Sequence, residues 1–494
     1  MIPVNPNRPD FLEQLDSARV VPVWCEIVAD GDTPVSAFAK LCGEAPSFLL
    51  ESAEQSDQVG RYSFLGFGER ATFTARGKSL TVSEGGSTRT FVCERDPLDE
   101  LEQWMARYRT EQNPLLPPFH GGAVGYLGYD CVRWFEPSIP EPPKDELGIP
   151  DMFFVVPDAI LVFDHRRRRV KIVANTYLEG GDPGAAYDAA VARIRAILSR
   201  LREPLAFDPI FTERNPPPSP ATSNTTEFEY HGMVARAQEY IRAGDIFQIV
   251  PSQRFETAFA GDALDLYRAL RFVNPSPYMF CIRCPDGYSL VGSSPEVHVR
   301  LTGKLVEIRP IAGTRRRGET PEADAANAQE LLADPKERAE HLMLVDLARN
   351  DVGRIAEFGS VKVTDFMTVE RYSHVMHIVS HVSGELAGGR SAYDVMRATF
   401  PAGTVSGSPK VRAMQIINEL EMSKRCSYAG AVGYFGFDGN LDSCIALRTV
   451  LLKEGRAYVQ SGGGVVADST AEGEYQETVN KAMAAMRAID RARI

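Results

Sequence analysis

The chain has 494 residues, more than one simple hydrophobic core usually supports, so two or three domain-sized units are expected. Hydrophobic residues make up 44% and charged residues 24%, as in a soluble globular protein, and the formal net charge of -12 disfavours non-specific binding to nucleic acid. No apolar run reaches the roughly 18 residues of a bilayer-spanning helix, and the N-terminal residues do not resemble a secretion signal, so a cytoplasmic protein without membrane contact is expected.

The eight cysteines are scattered without the dense, regular spacing of a secreted disulfide framework, which favours reduced thiols. Cys281 and Cys284 form the only close pair, in a strand-like stretch. Neither a second such pair nor a pair of histidines completes a zinc site there. The sequence therefore predicts no structural zinc.

The first part of the chain alternates strand-like apolar runs with helical stretches, as far as residue 207. Three consecutive prolines followed by Ser, Thr and Asn then occur within residues 208–228, a composition that favours extended chain over packed structure. We therefore predict an N-terminal domain over residues 1–207, a linker over 208–228 and a second domain over 229–494.

The second domain is predicted to contain both helices and many strands. Helices are expected near residues 229–243, 322–348, 391–399 and 409–421, and at the C-terminus. Strands are expected at residues 247–256, 278–284, 288–301, 304–309, 428–437, 441–453 and 457–460. Because the strands form hairpin-like groups joined by Gly turns and do not alternate regularly with helices, we predict an α+β architecture rather than a doubly wound sheet.

One glycine-rich sequence occurs twice, at residues 121–130 and again at residues 429–438. Glycine at this density in a strand usually indicates a close approach of backbone to backbone. We expect two similar strands that pack face to face at the domain junction, and the second copy is also a candidate lining of a functional site.

Two helical segments each carry a pair of glutamates, Glu337 with Glu340 and Glu474 with Glu477. Residues three apart share one face of a helix, so each segment presents two carboxylates on one side. Four carboxylates brought together would repel one another unless a hard divalent cation such as Mg²⁺ lay between them. The alternative is that they are first-turn glutamates favoured by the helix dipole.

Between these helices lie segments suited to binding acidic groups, namely residues 308–315, residues 400–410, Arg448 and the glycine run at 461–464. Backbone amides freed by glycine can approach a carboxylate closely, and a guanidinium can bind one through two parallel hydrogen bonds. The pattern predicts a small ligand with several acidic groups, one bridging to Mg²⁺ and another held by Arg448 and the glycine amides. An ordinary glycine turn is the alternative for the run at 461–464.

A resemblance to a known family is carried by the segments PSQRF, NPSPYMF, GSSPE, RPIAGTRRRG, ERAEHLMLVDLARND, FPAGTVSGSPK, AGAVGYFGFDGNLDSCIALRT and EYQETVNKA. Together they resemble the chorismate-utilising enzymes, in particular the large component of anthranilate synthase, densely over about residues 230–490 and more weakly before. The resemblance implies layered, mainly antiparallel sheets that form a sandwich flanked by helices. It also implies Mg²⁺-dependent amination of chorismate by ammonia and loss of pyruvate, giving anthranilate for tryptophan biosynthesis.

Two positions bear on which nucleophile attacks chorismate within this family. Members that add water resemble one another in carrying a lysine base where this chain has Gln248, and glutamine cannot deprotonate water. Aminodeoxychorismate synthases often carry a nucleophilic lysine where this chain has Ala312. Attack by ammonia is therefore favoured, with aminodeoxychorismate synthase component I of the folate pathway as the alternative, and a binding protein that has lost catalysis as a second one.

The resemblance also implies roles for single residues. Glu340 and Glu477 would bind Mg²⁺, with Glu337 and Glu474 holding metal-bound waters. Glu296 would be the general acid for the departing ring hydroxyl, which requires a pKa raised by burial. His377 would assist the elimination of pyruvate. Gln248 and Thr404 complete the predicted catalytic set, and the predicted chorismate contacts are Gly313, Thr314, Tyr428, Arg448, Gly462, Gly463, Gly464 and Lys481.

Two short segments resemble the family's tryptophan site for feedback inhibition. The predicted residues are Glu51, Ser52, Pro277, Tyr278 and Met279, where a strand edge, an aromatic ring and a thioether could clamp an indole. Without the resemblance these are ordinary strand and turn residues. No glutaminase nucleophile motif occurs, so a separate amidotransferase subunit is implied as the source of ammonia, and homo- or hetero-oligomers are both compatible with the sequence.

Overall fold

The computed structural model describes residues 2–14, 19–43, 46–52, 60–110, 113–142, 144–212, 216–372 and 375–493. The helices of this part are α1 (Arg8–Glu13), α2 (Pro34–Leu41), α3 (Pro97–Ala106), α4 (Val132–Phe135), α5 (Pro183–Leu201), α6 (Glu227–Ala243), α7 (Ala263–Val273), α8 (Pro321–Ala333), α9 (Pro335–Gly353), α10 (Ala392–Thr399), α11 (Lys410–Leu420) and α12 (Ala471–Ala492). Of these described helices, none combines the length and the apolarity needed to cross a membrane.

The strands are short and numerous. In chain order they are β1 (Val20–Val28), β2 (Ser47–Glu51), β3 (Tyr62–Phe67), β4 (Ala71–Arg76), β5 (Ser79–Glu84), β6 (Ser87–Val92), β7 (Gly122–Leu127), β8 (Met152–Val156), β9 (Ala159–Asp164), β10 (Arg169–Tyr177), β11 (Thr222–Ser223), β12 (Gln248–Ile249), β13 (Ser252–Ala258), β14 (Tyr278–Arg283), β15 (Tyr288–Ser294), β16 (Val297–Thr302), β17 (Leu305–Ile308), β18 (Ile311–Arg316), β19 (Lys362–Arg371), β20 (Val375–Glu385), β21 (Gly407–Ser408), β22 (Ala431–Gly436), β23 (Leu441–Ile445), β24 (Thr449–Lys453) and β25 (Arg456–Gly462).

Nearly all of these strands join two large antiparallel sheets. The first sheet has the order β1-β10-β9-β3-β2-β14-β15-β24-β25-β13-β11. The second has the order β18-β20-β17-β16-β23-β22-β7-β8-β4-β5-β6, with β19 beside β20, and β12 and β21 form a separate small pair. Each large sheet contains strands from both sides of the proposed linker, and β11, inside residues 208–228, pairs with β13. Residues 213–215 of that segment lie outside the described chain, and the domain boundaries stay a prediction.

The two sheets face each other across a shared core. Inner side chains of both sheets, including Phe48, Phe64, Phe153 and Tyr434, form one buried cluster between them. The outer face of the first sheet is covered by α2, α5, α7 and α12, and that of the second by α3, α9 and α10. The layers therefore run helix, sheet, sheet, helix, which confirms the predicted α+β sandwich.

Strand β14 shows why several strands read as continuous apolar runs. Met279 and Cys281 point into the cluster beneath the helices, whereas Phe280 and Ile282 point into the core between the sheets. Successive side chains of a strand alternate between its faces, and here both faces are covered. Each fully buried large apolar side chain contributes roughly 1.5–3 kcal/mol, so both faces stabilise the layer.

The repeated glycine sequence forms two neighbouring strands rather than facing layers, which corrects the expectation of face-to-face packing. Strands β7 and β22 pair antiparallel in the second sheet, with Gly125 opposite Gly433. A Cβ atom on Gly125 would lie 1.8 Å from the carbonyl oxygen of Phe153, and one on Gly433 would lie 2.1 Å from that of Asp442. The glycines are needed because the flanking strands approach too closely for any side chain.

Two segments predicted as single strands are each broken where the chain changes sheet. Residues 288–301 form β15 in the first sheet and β16 in the second, with Glu296 between them. Residues 441–453 form β23 in the second sheet and β24 in the first, and Arg448 between them has a positive φ of 47°. The apolar run at residues 444–447 continues through the second crossing because both sheets line the same core, so periodicity could not reveal that break. The first crossing is polar and carries Ser293, Ser294 and Pro295 before Glu296.

The predicted helical region near 322–348 consists of two helices that meet at Asp334. The Asp334 side chain accepts hydrogen bonds from the backbone amides of Lys336 and Glu337, and Pro335 occupies the first position of α9. This is a standard N-cap, and it separates α8 from α9, whose first two turns carry Glu337 and Glu340.

Candidate active site

Glu296 is an almost completely buried carboxyl group at the crossing between β15 and β16. It is 5% exposed, and Thr404 Oγ1 donates a hydrogen bond of 2.8 Å to its Oε1. Burial raises the pKa of Glu296 to about 8, although the hydrogen bonds from Thr404 and from the Ile311 amide act in the opposite direction. The carboxyl group therefore carries a proton near neutral pH, as a general acid must.

His377 lies on β20 beside the turn that carries Gly313 and Thr314. Its Nδ1 is 2.8 Å from the carbonyl oxygen of Gly313 and 3.2 Å from Thr314 Oγ1. Because a carbonyl oxygen only accepts, we place the ring proton on Nδ1, which leaves Nε2 as a proton acceptor. Burial lowers the pKa of His377, so the ring is neutral near pH 7. The residue is suited to take up a proton.

The two acidic pairs predicted from the sequence lie close enough to influence one another. Burial raises the pKa of Glu340, and the negative charges of Glu337 and Glu477 raise it further. Burial likewise raises the pKa of Glu474, with Glu477 adding to the effect. Gln248 Nε2 donates a hydrogen bond of 3.3 Å to Glu340 Oε1. The helices α9 and α12 therefore bring Glu340 and Glu474 within electrostatic range of Glu477.

These carboxylates differ in how they are neutralised. Glu337 is paired with Arg315 at 3.0 Å, and Glu477 with Lys481 at 2.7 Å. Glu474 Oε1 accepts a hydrogen bond from Ser469, but its Oε2 is buried and no described residue donates to it. A cation, or a water molecule bound to a cation, would satisfy the Oε2 atom of Glu474. Mg²⁺ prefers oxygen ligands of this kind. The residues present thus fit Mg²⁺, while the assignment of individual ligands stays a prediction.

A different group has its ligand atoms closer together. Among the described residues, Glu227, His231 and Glu472 are the only set of three or more potential metal ligands whose atoms lie within 4.8 Å of one another. They lie at the N-termini of α6 and α12, and both glutamates are exposed. The four predicted glutamates are more widely spaced, as expected if Mg²⁺ reaches some of them through its waters.

The glycine run after β25 lies directly against the acidic residues and Gln248. A Cβ atom on Gly463 would lie 2.7 Å from Glu474 Oε2, and one on Gly464 would lie 2.9 Å from Gln248 Nε2. A side chain at either position would require the end of the Glu474 or Gln248 side chain to move. The backbone of residues 462–464, here called the glycine wall, therefore lies along one side of the site, and its role in binding chorismate stays a prediction.

Gly462 joins this wall to Tyr428 and Lys481. A Cβ atom on Gly462 would lie 2.8 Å from the hydroxyl oxygen of Tyr428. Lys481 Nζ donates a hydrogen bond of 3.0 Å to the carbonyl oxygen of Gly462 while also pairing with Glu477. The predicted substrate contacts on β25, α12 and the loop before β22 are thus neighbours.

Arg448 is a half-buried cation without a carboxylate partner among the described residues. Its Nη1 makes one long hydrogen bond of 3.4 Å to Asn274 Oδ1, although a guanidinium has five N–H donors. Burial lowers the pKa of Arg448, and its positive charge contributes to lowering the pKa of His377, which shows that the two are close. An anionic ligand would satisfy this guanidinium.

The five predicted regulatory residues line one cavity of about 280 Å³. Strands β2 and β14 pair with Met279 opposite Glu51, which brings the two predicted segments side by side. Ser52 Oγ is buried and has no hydrogen-bond partner in the part of the chain that the structure describes. Glu51 already accepts from Tyr267 at 2.6 Å. We refer to this space as the β2–β14 cavity.

Sequence reasoning missed several polar residues of these regions. Arg300 and Asp442 line the β2–β14 cavity, where Arg300 bonds both Asp442 and the hydroxyl oxygen of Tyr278. Arg315 belongs to a sequence motif, but the motif does not indicate that Arg315 neutralises Glu337. No local pattern identifies these partners, because each contact joins residues far apart in the chain.

Most of the chain matches a known protein family. Residues 45–487 match the chorismate binding enzyme family, and the chain belongs to it. This confirms the resemblance seen in the sequence motifs.

The most informative relatives are similar over nearly their whole length. The chain is 46% identical over 490 residues to anthranilate synthase component 1 of Pseudomonas aeruginosa, covering 98% of each protein. It is 45% identical over 476 residues to the protein of that name from Aquifex aeolicus, covering 96% of each. The crystal structure of anthranilate synthase component I from Streptococcus pneumoniae TIGR4 superposes with a TM-score of 0.76 at 39% identity, covering 93% of this chain and 99% of that one.

Proposed function

We propose that this enzyme is the chorismate-converting component of an anthranilate synthase. It would add ammonia to the chorismate ring, at the carbon next to the one that bears the carboxylate, and release the ring hydroxyl as water. Loss of a ring proton and of the enolpyruvyl side chain as pyruvate would then give anthranilate. The relatives named above support this activity. The buried, protonated Glu296 is the feature of the site that supports it most directly.

Glu296 supports the first half of the reaction. A ring hydroxyl is a poor leaving group unless it receives a proton as its C–O bond breaks. Glu296 keeps a proton near neutral pH because burial raises its pKa to about 8, and Thr404 orients the carboxyl group through a hydrogen bond to Oε1. General acid catalysis of this kind typically contributes about 10²–10⁴-fold in rate.

His377 supports the second half. The intermediate must lose a proton from the ring as pyruvate departs, and Nε2 of a neutral His377 is an acceptor held in a fixed direction by the bond from Nδ1 to Gly313. Arg448 nearby is a half-buried cation suited to a substrate carboxylate. Chorismate has two carboxylates, and the glycine run is a suitable second place for one.

We further propose Mg²⁺ as the cofactor, held by Glu340, Glu474 and Glu477 with Glu337 as support. When bound, it would neutralise these glutamates and polarise a carboxylate of chorismate. Gln248, which donates to Glu340, would keep the carboxylate of that residue directed toward the cation. The site would then be closed against water by the glycine wall.

Feedback inhibition by tryptophan at the β2–β14 cavity belongs to the same proposal. The cavity offers an apolar surface that includes Phe64, Pro277 and Tyr278, and a Ser52 hydroxyl group without a hydrogen-bond partner among the described residues. Those features fit an amino acid with a large aromatic side chain. A glutamine amidotransferase subunit is proposed as the ammonia source, which the designation component 1 of the relatives supports.

The test is an assay of the purified chain with chorismate, Mg²⁺ and an ammonium salt at mildly alkaline pH. We expect fluorescent anthranilate to form, to depend on Mg²⁺ and to decrease when tryptophan is added. Consumption of chorismate without anthranilate or pyruvate would favour an aminodeoxychorismate synthase instead. No consumption at all, with ammonium in excess, would contradict the proposal.

A further inference from the structure

A completely buried ion pair lies behind the candidate active site and is not explained by any role assigned so far. Arg425 and Glu421 have side chains only 1% and 8% exposed. Their two hydrogen bonds, from Nε and Nη2 to the two carboxylate oxygens, measure 2.9 and 2.6 Å. Burying two charges is costly, so a pair of this kind is retained only where its remaining donors and acceptors are also satisfied.

The remaining donors of Arg425 are directed at two backbone carbonyls. Nη1 donates 2.8 Å to Val405 O, and Nη2 donates 2.5 Å to Val250 O. Val405 follows Thr404, whose hydroxyl group holds Glu296. Val250 follows Gln248 and Ile249, which form strand β12. One planar guanidinium therefore fixes the distance between the loop of Thr404 and the strand of Gln248.

Glu421 extends the same network to the glycine wall. Its Oε1 accepts hydrogen bonds of 2.8 Å from both the amide and the hydroxyl group of Ser252. Gln460 Nε2 donates 2.9 Å to that hydroxyl, and Gln460 lies on β25, two residues before Gly462. The Arg425 guanidinium also lies over the ring of Tyr428, at 5.6 Å from its centroid.

We infer that Arg425 and Glu421 are positioning residues of the proposed reaction, which hold the segments of Thr404, Gln248 and the glycine wall in register. Neither residue touches the substrate. The shortest route to a reacting group passes from Arg425 through Val405 to Thr404 and then to Glu296. The inference rests on the proposed function, because Glu296 is the group whose surroundings are being set.

The first test is Arg425→Lys, which keeps the charge but loses the planar fork. We expect kcat per folded enzyme to fall about 10–100-fold. Loss of the Thr404 hydrogen bond raises the pKa of Glu296, because that bond stabilises the charged carboxylate. The alkaline limb of the kcat profile should therefore move to higher pH, in the same direction as in Thr404→Val.

Coupling decides between positioning and a merely structural role. If Arg425 acts through Thr404, the effects of Arg425→Lys and Thr404→Val on kcat should be clearly less than additive in the double variant. Arg397→Lys is the matched control, because Arg397 is also a buried arginine, paired with Asp96 and Glu102 at the packing of α10 on α3. It should leave the pH profile unchanged. Additive effects, or an unmoved alkaline limb in Arg425→Lys, would overturn the inference.

A measurement without turnover keeps this inference separate from the proposed reaction. Infrared titration follows the band of the protonated Glu296 carboxyl group, which Glu296→Gln identifies by its disappearance. We expect the midpoint to rise in Arg425→Lys and in the double variant Glu421→Gln/Arg425→Met, which leaves no unpaired charge. An unchanged midpoint in folded variants, checked by circular dichroism, would overturn the positioning role even if the wild-type chain makes no anthranilate.

Discussion

The candidate active site and the β2–β14 cavity lie in the same sandwich, but they differ in whether their charged groups have partners. In the active site, Glu296 is buried in its protonated form and Arg448 has no carboxylate partner among the described residues. In the cavity, the charged groups are already paired, with Asp442 bonded to Arg300 and Glu51 to Tyr267. Unpaired buried groups are costly and are expected where a ligand or a reaction uses them. Paired groups with an apolar lining are expected where a ligand is only bound.

The two sites also differ in the kind of backbone structure that forms them. The cavity comes from a regular pairing of β2 with β14. The active site comes from places where regular structure stops, at the crossings near Glu296 and Arg448 and at the end of β25. Irregular backbone frees amides and lets side chains converge from several elements, which a continuous ladder does not allow.

Glu296→Gln should have the largest effect on activity of the substitutions considered. The amide cannot donate the required proton as an acid does, so we expect kcat for anthranilate formation to fall by about 10²–10⁴-fold. Fluorescence of the product measures it. Glu454→Gln, at an exposed turn, is the control, and a Glu296→Gln enzyme within about threefold of wild type would exclude Glu296 as the acid.

Removal of Mg²⁺ by a chelator should abolish activity, and added Mg²⁺ should restore it. Glu340→Gln should raise the Mg²⁺ concentration for half-maximal rate by about 10–100-fold, since a ligand or its nearest support is lost. Glu472→Gln, on the same acidic α12 but in the group with His231, should have no effect. The reverse pattern would place the functional cation at Glu227, His231 and Glu472.

Arg448→Met removes the cation that has no carboxylate partner among the described residues. A hydrogen bond to a charged group contributes about 1.5–3 kcal/mol, which corresponds to roughly a 10–100-fold loss in kcat/KM for chorismate. Steady-state kinetics at saturating ammonium measures the loss. A change confined to ammonium dependence would show that Arg448 does not bind the substrate carboxylate.

Ser52→Ala should have a smaller effect, confined to regulation. Losing one neutral hydrogen bond costs about 0.5–1.5 kcal/mol, so the tryptophan concentration for half inhibition should rise roughly 2–10-fold. Ser87→Ala, on the exposed strand β6, serves as the comparison. Unaltered inhibition in Ser52→Ala would place the tryptophan site elsewhere.

The last expected effect is on stability rather than on activity. The pKa of Glu296 rises from 4.5 to about 8 on folding, so between these pH values the folded state binds more protons than the unfolded state. Its contribution to the free energy of unfolding is therefore largest below pH 4.5 and is lost as pH rises through 8. Denaturant unfolding at pH 6 and pH 9 should show a smaller pH difference in Glu296→Gln than in wild type. Equal differences would indicate that Glu296 is not buried in solution.

The sequence by itself determined the family, the kinds of side chain in the site and part of their local arrangement. Glu337 with Glu340, and Glu474 with Glu477, share helix faces because of their spacing, and residues 462–464 can only be backbone contacts because glycine has no side chain. These features depend on a few neighbouring residues, so they could be read locally. The α+β class could be predicted because the hairpin-like groups of strands and their Gly turns are also visible in short stretches of sequence.

Only the tertiary structure decided where strands change sheet, which buried groups are paired and which are not. Nothing near Glu421 or Arg425 in the chain indicates that they bond Ser252 and Val405. Burial raises the pKa of Glu296 because two sheets and a distant turn exclude water from it, and Arg448 lacks a partner because no described carboxylate folds against it. Solvation and pairing are set by contacts between distant segments, which no local pattern contains.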